Sequence, residues 1–488
     1  MYKIGFDNDK YLSMQSSRIR DRIDEFGGKL YLEFGGKLFD DYHASRVLPG
    51  FQPDSKLQML LQLKNEAEIV IAISAEDVER EKVRADYGIT YDHDVERLIS
   101  EFNEIGLMVG SVVLTKYAPT EKVLEFEARL GEKGYPVYHH YVIDGYPSNV
   151  TRIVSDDGFG KNDYIKTQRE LVIITAPGPG SGKMATCLSQ LYHEHKRGVK
   201  AGYAKFETFP IWNLPLKHPV NIAYEAATAD LNDVNMIDPW HLEAYGETTV
   251  NYNRDVEIFP VLKATFDRIY GECPYKSPTD MGVNMAGNCI VDDEAVKEAA
   301  KQEVIRRYFK ALRDVAKGQK NLDELFKLEL LMNQAGISVE DRASVVAARK
   351  KAELTELPAA AIELADGTVV TGRTSDLLGC ASAVLLNALK SLGGIDDDIL
   401  LINPDVIRPI QELKVNHLGN KNPCLHTDEV LIALSISAVT DENAKKALDQ
   451  LKGLNNAEMH STVLLSHVDE KVTKNLGMRV TADVKTPE

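Results

Sequence analysis

Five cysteines stand in 488 residues: Cys187, Cys273, Cys289, Cys380 and Cys424. They are odd in number, widely spaced and contain no CxxC pair, which excludes a disulfide framework and a thiolate zinc site. Such usage points to a reducing cytoplasm. No apolar run reaches the ~18 residues that a membrane-spanning helix needs. The opening segment, MYKIGFDNDKYLS, has no apolar signal core and reads as mature protein. Basic residues are in deficit: 57 Lys and Arg against 74 Asp and Glu give a net charge of −17. That balance excludes a general nucleic-acid binder and disfavours an anionic membrane surface as partner. A single basic cleft remains compatible with it, because net charge describes the whole surface.

What is present is alternation. The apolar run Glu68–Ser74 is rich in β-branched residues, and a charged helical stretch carrying Val95, Leu98, Ile99 and Phe102 follows it. Then come Leu107–Leu114, a helix near Thr120–Leu130, an extended Tyr138–Ile143 and the run Leu171–Thr175. Strands alternating with helices predict an α/β fold, a mainly parallel sheet flanked by helices, with ligands beyond the strands' C-terminal ends. We expect an N-terminal α/β domain over residues 1–290, with long loops over 205–290 that hold both tryptophans, Trp212 and Trp240. A helical subdomain or connector is expected over 291–356, where Ser338 and Asp341 have capping spacing. A C-terminal α/β subdomain is expected over 357–488. It should contain a hairpin around Ala365-Asp366-Gly367, a helix over Ser382–Leu392, an extended Ile399–Ile402 and a helix over Thr427–Ala438.

The segment with the most chemistry is IITAPGPGSGKMAT, residues 173–186. An apolar strand runs into Gly178, Gly180, Ser181, Gly182 and Lys183, and a helix comes next. Glycines let successive backbone N–H groups turn toward phosphate oxygens. A helix N-terminus adds unpaired donors, and a lysine adds a point charge. The pattern is that of a phosphate-binding loop with two departures from GxxxxGK[ST]. Pro177 stands at the first glycine and Met184 at the magnesium-binding hydroxyl. The competing reading is a turn whose glycines only allow close packing. If magnesium is used, Asp238 is the first candidate ligand, at the end of Val234–Asp238; a turn aspartate before Pro239 is the alternative.

A second polar cluster, GGKLFDDYHASRVLPG over residues 35–50, supplies Lys37, His43 and Arg46. It combines anion-binding and acid–base types, so it is a candidate wall of the same site. Lys205, Glu207 and His218 each read singly as packing or surface. His139-His140 and His193-x-His195 do not make a metal site: neighbours in a strand face opposite sides, and an HxH on a helix is splayed by roughly 200°. Cys424, His426, Glu458 and His460 share no spacing that defines a nucleophile.

Three segments, GGKLFDDYHASRVLPG, APGPGSGKMATCLSQLYHEH and ELADGTVVTGRTSDLLGCASAVLLNALK, resemble the bacterial family catalogued as domain of unknown function 1846, over essentially the whole chain. The resemblance implies several α/β and helical subdomains and a C-terminal part with cytidine-deaminase-like topology. It does not imply deamination. The zinc signature needs HxE and PCxxC, whereas Pro423-Cys424 is followed by Leu425-His426-Thr427. The residues thus predict a small phosphorylated ligand or an ATP-like nucleotide as cofactor. Phosphoryl or nucleotidyl transfer would involve Lys183, Asp238, His43 and Arg46. The alternatives are a non-catalytic phospho-ligand sensor and a structural homo-oligomer.

Overall fold

The computed structural model describes residues 3–35, 38, 41–84, 87–231, 233–319 and 322–484. The chain divides into two compact units. One comprises Ile4–Glu225 and Leu231–Lys297; the other holds Met1–Lys3, Ala226–Asp230 and Glu298–Glu488.

In chain order the described strands of the first unit are β1 (Leu30–Phe34), β2 (Ala67–Ser74), the short β3 (Val83–Arg84) and β4 (Ile89–Thr90), and β5 (Met108–Thr115). They continue with β6 (Val137–His139), β7 (Leu171–Thr175), β8 (Gly202–Phe206), β9 (Asn235–Ile237), β10 (Val250–Tyr252) and β11 (Gly282–Val283). Seven of them make one sheet in the order β11-β8-β1-β7-β2-β5-β6, and every pairing in it is parallel. β1, β2 and β7 are buried at every position, as expected of strands covered on both faces.

Side-chain alternation sorts the sheet into two cores. Leu32, Ile71, Ile173 and Leu114 face helices Asn8–Glu25, Ser55–Gln62, Tyr91–Glu104 and Glu121–Glu132. Tyr31, Val70, Val172, Ile174 and Tyr203 face helices Lys183–Lys196 and Asn253–Tyr270. From β1 the chain steps through β2 and β5 to β6, crossing over the first face. β7 then returns to lie between β1 and β2, and the crossover from β7 to β8 uses the second face. Connections therefore leave the β1–β7 pair in opposite directions on opposite faces. Such a reversal opens a crevice at the C-terminal ends of the two strands.

The second unit has its own core, with β12 (Ala359–Glu363), β13 (Val369–Arg373), β14 (Glu458–Ser461) and β15 (Arg479–Ala482) in the order β13-β12-β14-β15. β12 is antiparallel to β13 and β14, and β14 is parallel to β15. The predicted hairpin forms. The predicted extended Ile399–Ile402 is instead a loop whose Leu401 and Ile402 fill the core ahead of helix Pro404–Asn416. Its apolarity came from burial, which a loop residue also meets at a core edge. Ser338 and Asp341 do form a capping box, on a single 3-10 turn before helix Ala343–Thr355.

Candidate functional site

The crevice is occupied by a cavity of about 480 Å³. Its floor and walls come from strand ends and the loops after them: Glu33 of β1, Thr115 at the end of β5 with Lys116 just after it, His140 to Ile143 and Tyr146 after β6, and Gly180 with Gly182 to Ala185 after β7. The predicted strand Tyr138–Ile143 stops at His139, and the chain from His140 onward turns into the cavity wall.

The loop after β7 is shaped from within. Gly180 and Gly182 have φ of +80° and +83°, which favour glycine. Ser181 is fully buried, and its hydroxyl donates to Gly178 O at 2.9 Å. The Thr115 hydroxyl donates to Ser181 O at 2.8 Å, tying the loop to the end of β5. Helix bonding begins with Thr186 N, which donates to Gly182 O at 2.9 Å. Among the described residues, the N–H groups of Gly180, Ser181, Gly182, Lys183, Met184 and Ala185 have no acceptor within the protein. Lys183 lines the same cavity and makes no ion pair or hydrogen bond among the described residues. The neighbouring Lys116 is already paired with Glu76 at 2.9 Å.

The lining as a whole is mixed. Val142, Ile143, Phe159 and Met184 are apolar. His140 is buried; its Nε2 lies 3.1 Å from Gln190 Nε2, and burial pushes the imidazole down to about 3, so it is neutral at physiological pH. Burial, and then the Glu33 charge, pushes the Tyr146 hydroxyl up to about 12, where it remains a donor. Glu33 is 8% exposed, and its Oε2 accepts from the Tyr203 hydroxyl at 2.7 Å.

The residues expected from sequence divide accordingly. Gly180, Gly182 and Lys183 line the cavity, with Gly178 and Ser181 in the loop that frames it. Asp238 directly follows β9, which pairs antiparallel with β10 outside the seven-stranded sheet. Its carboxylate accepts from Trp240 N, His241 N, Thr279 N and Thr279 Oγ1, capping helix Pro239–Tyr245. His43 sits on helix Tyr42–Val47, edge-on to Phe209 with ring centroids 5.3 Å apart, and Arg46 is in that helix's last turn. Neither contributes to the cavity lining. Lys37 lies outside the described residues. Thr186 is fully buried and absent from the lining, so Met184 has no hydroxyl substitute there. In the second unit, Cys424 Sγ donates to Ser375 O at 3.2 Å, while His426 pairs with Asp469 at 2.9 Å.

Two features escaped the sequence. Glu33 was a lone acid in the apolar run LYLEF, and its position just before Gly35-Gly36 was the available signal. Lys205 and Glu207, judged singly, in fact belong to one buried network. Lys205 Nζ contacts Asp255 and the Tyr252 hydroxyl and lies 3.1 Å from Glu207 Oε1. Burial pushes Glu207 up to about 7 against the pull of Lys205. Burial alone would lower Lys205, but Asp255, Tyr252 and Glu207 hold its ammonium well above the usual range.

The fold and cavity define an α/β protein with a glycine-rich strand–loop–helix at a sheet reversal. Residues 4–336 match the family described as "Domain of unknown function DUF1846, N-terminal", and residues 340–488 match "Domain of unknown function DUF1846, C-terminal". A UPF0371 protein of Corynebacterium diphtheriae is 61% identical over 483 residues, covering 99% of this chain and 97% of the relative. A UPF0371 protein of Streptococcus thermophilus is 55% identical over 483 residues, covering 99% and 98%. The chain belongs to this family, in agreement with the resemblance drawn from its motifs. No helix among the described residues is long and apolar enough to cross a membrane.

Proposed function

We propose that the protein binds a phosphorylated small molecule, a nucleotide or a smaller phosphate ester, in the cavity at the β1–β7 reversal. The observation that carries this reading is the run of N–H groups from Gly180 to Ala185, unbonded among the described residues, beside a Lys183 that has no partner among them. The first N–H groups of a helix have no partner within it, and an anion both satisfies them and meets the positive end of the helix dipole. In this reading the loop is P-loop-like, with Gly178, Gly180, Ser181 and Gly182 shaping it and Lys183 supplying charge. Met184 stands in place of the metal-binding hydroxyl, and Asp238 is engaged as a cap. We therefore read the site as one whose affinity does not depend on magnesium. For the second unit we infer the cytidine-deaminase-like topology as shape only, on the strength of its mixed sheet and flanking helices. A cytoplasmic location and self-association complete the proposal.

A thermal-shift titration with inorganic pyrophosphate, nucleoside phosphates and sugar phosphates, each with and without EDTA, tests it. A ligand at a hundred times its Kd adds about 2.7 kcal/mol of stability. Wild type should gain melting temperature with at least one phosphate, equally in EDTA, and Lys183→Ala should gain none. Equal shifts for the two proteins would overturn the assignment.

A further inference from the structure

Glu33 is an odd presence in an anion site. It is more than nine-tenths buried, it lines the cavity, and only its Oε2 is engaged, by the Tyr203 hydroxyl at 2.7 Å. Oε1 makes no hydrogen bond among the described residues. A carboxylate facing a bound phosphate is repulsive unless the ligand itself brings a donor to it. Buried acceptors of this kind discriminate strongly, because a ligand lacking the donor leaves them unpaired.

The donor's character is set by the register. Glu33 pairs with Lys205 across β1 and β8, so both side chains project from the same face of the sheet. Lys205 is turned to Asp255 and Glu207 and forms no ion pair with Glu33. Asp255 already offsets its charge, so Lys205 leaves Glu33 Oε1 open to a donor from the ligand. A ring hydroxyl, neutral and carried on the same ligand as the phosphate, supplies such a donor. Val142, Ile143 and Met184 supply the apolar surface against which the carbon face of a ring would rest.

We propose that the cavity selects a phosphorylated polyol: the phosphate lies on the N–H groups of Gly180 to Ala185, and a ring hydroxyl donates to Glu33 Oε1. The inference rests on the phosphate site proposed above and adds its specificity. A free sugar phosphate and the ribose phosphate of a nucleotide share this chemistry.

Isothermal titration of the full chain with ribose 5-phosphate, adenosine 5′-monophosphate and n-butyl phosphate separates the possibilities. Wild type should bind ribose 5-phosphate at least tenfold tighter than butyl phosphate, which offers no hydroxyl. Glu33→Ala should bring the two within about threefold of each other, since a hydrogen bond to a charged group is worth about 1.5–3 kcal/mol. Glu33→Gln keeps an acceptor for Tyr203 and guards against misfolding; it should bind butyl phosphate more tightly than wild type does. A nucleotide as the natural source would show as adenosine monophosphate binding tighter than ribose 5-phosphate, and a sugar phosphate as the reverse. The inference is overturned if wild type shows no preference for the hydroxylated ester, or if the preference survives in both variants. Phosphate binding that Lys183→Ala abolishes, without any hydroxyl preference, would sink this inference alone. Absence of all phosphate binding would sink the parent reading with it.

Discussion

At Gly178 a Cβ would stand 2.2 Å from the Tyr91 hydroxyl oxygen and 2.7 Å from the ring carbon that carries it. The residue is glycine there because a buried ring needs the space. Gly182 combines a φ of +83° with a Cβ position 3.0 Å from Thr115 Cγ2. Gly180 differs from both: its φ is +80°, yet nothing lies within 4 Å of its would-be Cβ. Packing therefore explains Gly178 fully and Gly182 in part, and Gly180 only by the path of the backbone past the cavity. Two substitutions separate these causes. Gly178→Ala should cost about 1–3 kcal/mol of stability through overpacking, read as a lowered urea midpoint. Gly180→Ala should cost only about 1 kcal/mol for the left-handed conformation, while weakening phosphate binding at least tenfold by re-aiming the amides. Unaltered phosphate affinity in Gly180→Ala would show that the turn at 180 does not shape an anion site.

Among the elements, the second unit is knit by charge as well as by its apolar core. Arg342, fully buried just before helix Ala343–Thr355, donates to Glu458 Oε2 at 2.5 Å and to the carbonyls of Met459 and Arg479. Arg306, on helix Asp293–Ala316, reaches Glu458 Oε1 at 2.7 Å, and Arg479 of β15 adds a third guanidinium at 3.3 Å. Burial alone would lift Glu458, but Arg306, Arg342 and Arg479 together hold it below the ordinary carboxylate range. Neutralising it in Glu458→Gln leaves Arg342 as a buried cation without a counter-charge and should cost about 3–5 kcal/mol. Faster amide exchange in β12 and β14 would report that loss, and exchange unchanged from wild type would contradict it. Helices, the β12–β13 hairpin and the strand–loop–helix at 171–196 were legible in sequence because each is set by local periodicity, capping or turn chemistry. Glu33, Thr115 and the 140–146 wall were not. They meet the loop only because β7 inserts between β1 and β2 far from its sequence neighbours, and that insertion is a long-range fact. The same holds for Lys205 with Asp255, whose separation of 50 positions hid a contact that helps hold the buried Lys205 ammonium charged.

Over the whole molecule, a common titration pattern sets the response to acid. His140, His193, His218 and His460 are all held below the ordinary imidazole value, burial being the leading cause for each. A histidine with a depressed folded value binds fewer protons folded than unfolded, so its contribution is complete above pH 6.5 and is lost as pH falls toward the folded value. For His140 that window runs from 6.5 down to about 3. Glu207 acts in the opposite sense. With its carboxyl raised from 4.5 to about 7, the folded state holds the extra proton, and stability falls as pH rises through that interval. Between pH 4.5 and 6.5 the two slopes oppose each other within one unit. Glu207→Gln removes the falling slope and should leave the protein more sensitive to acid across that interval than wild type. His140→Gln removes part of the rising slope and should recover about 2 kcal/mol of the stability lost between pH 6.5 and 5, at 1.36 kcal/mol for each pH unit of differential protonation. Urea midpoints of the three proteins at half-unit steps from pH 4.5 to 7 decide the matter. The expected order of acid sensitivity is Glu207→Gln, then wild type, then His140→Gln. Parallel curves for the three would mean that neither group changes its protonation on unfolding, and that neither the burial of His140 against the cavity nor the Lys205 network has the electrostatic consequence drawn from it.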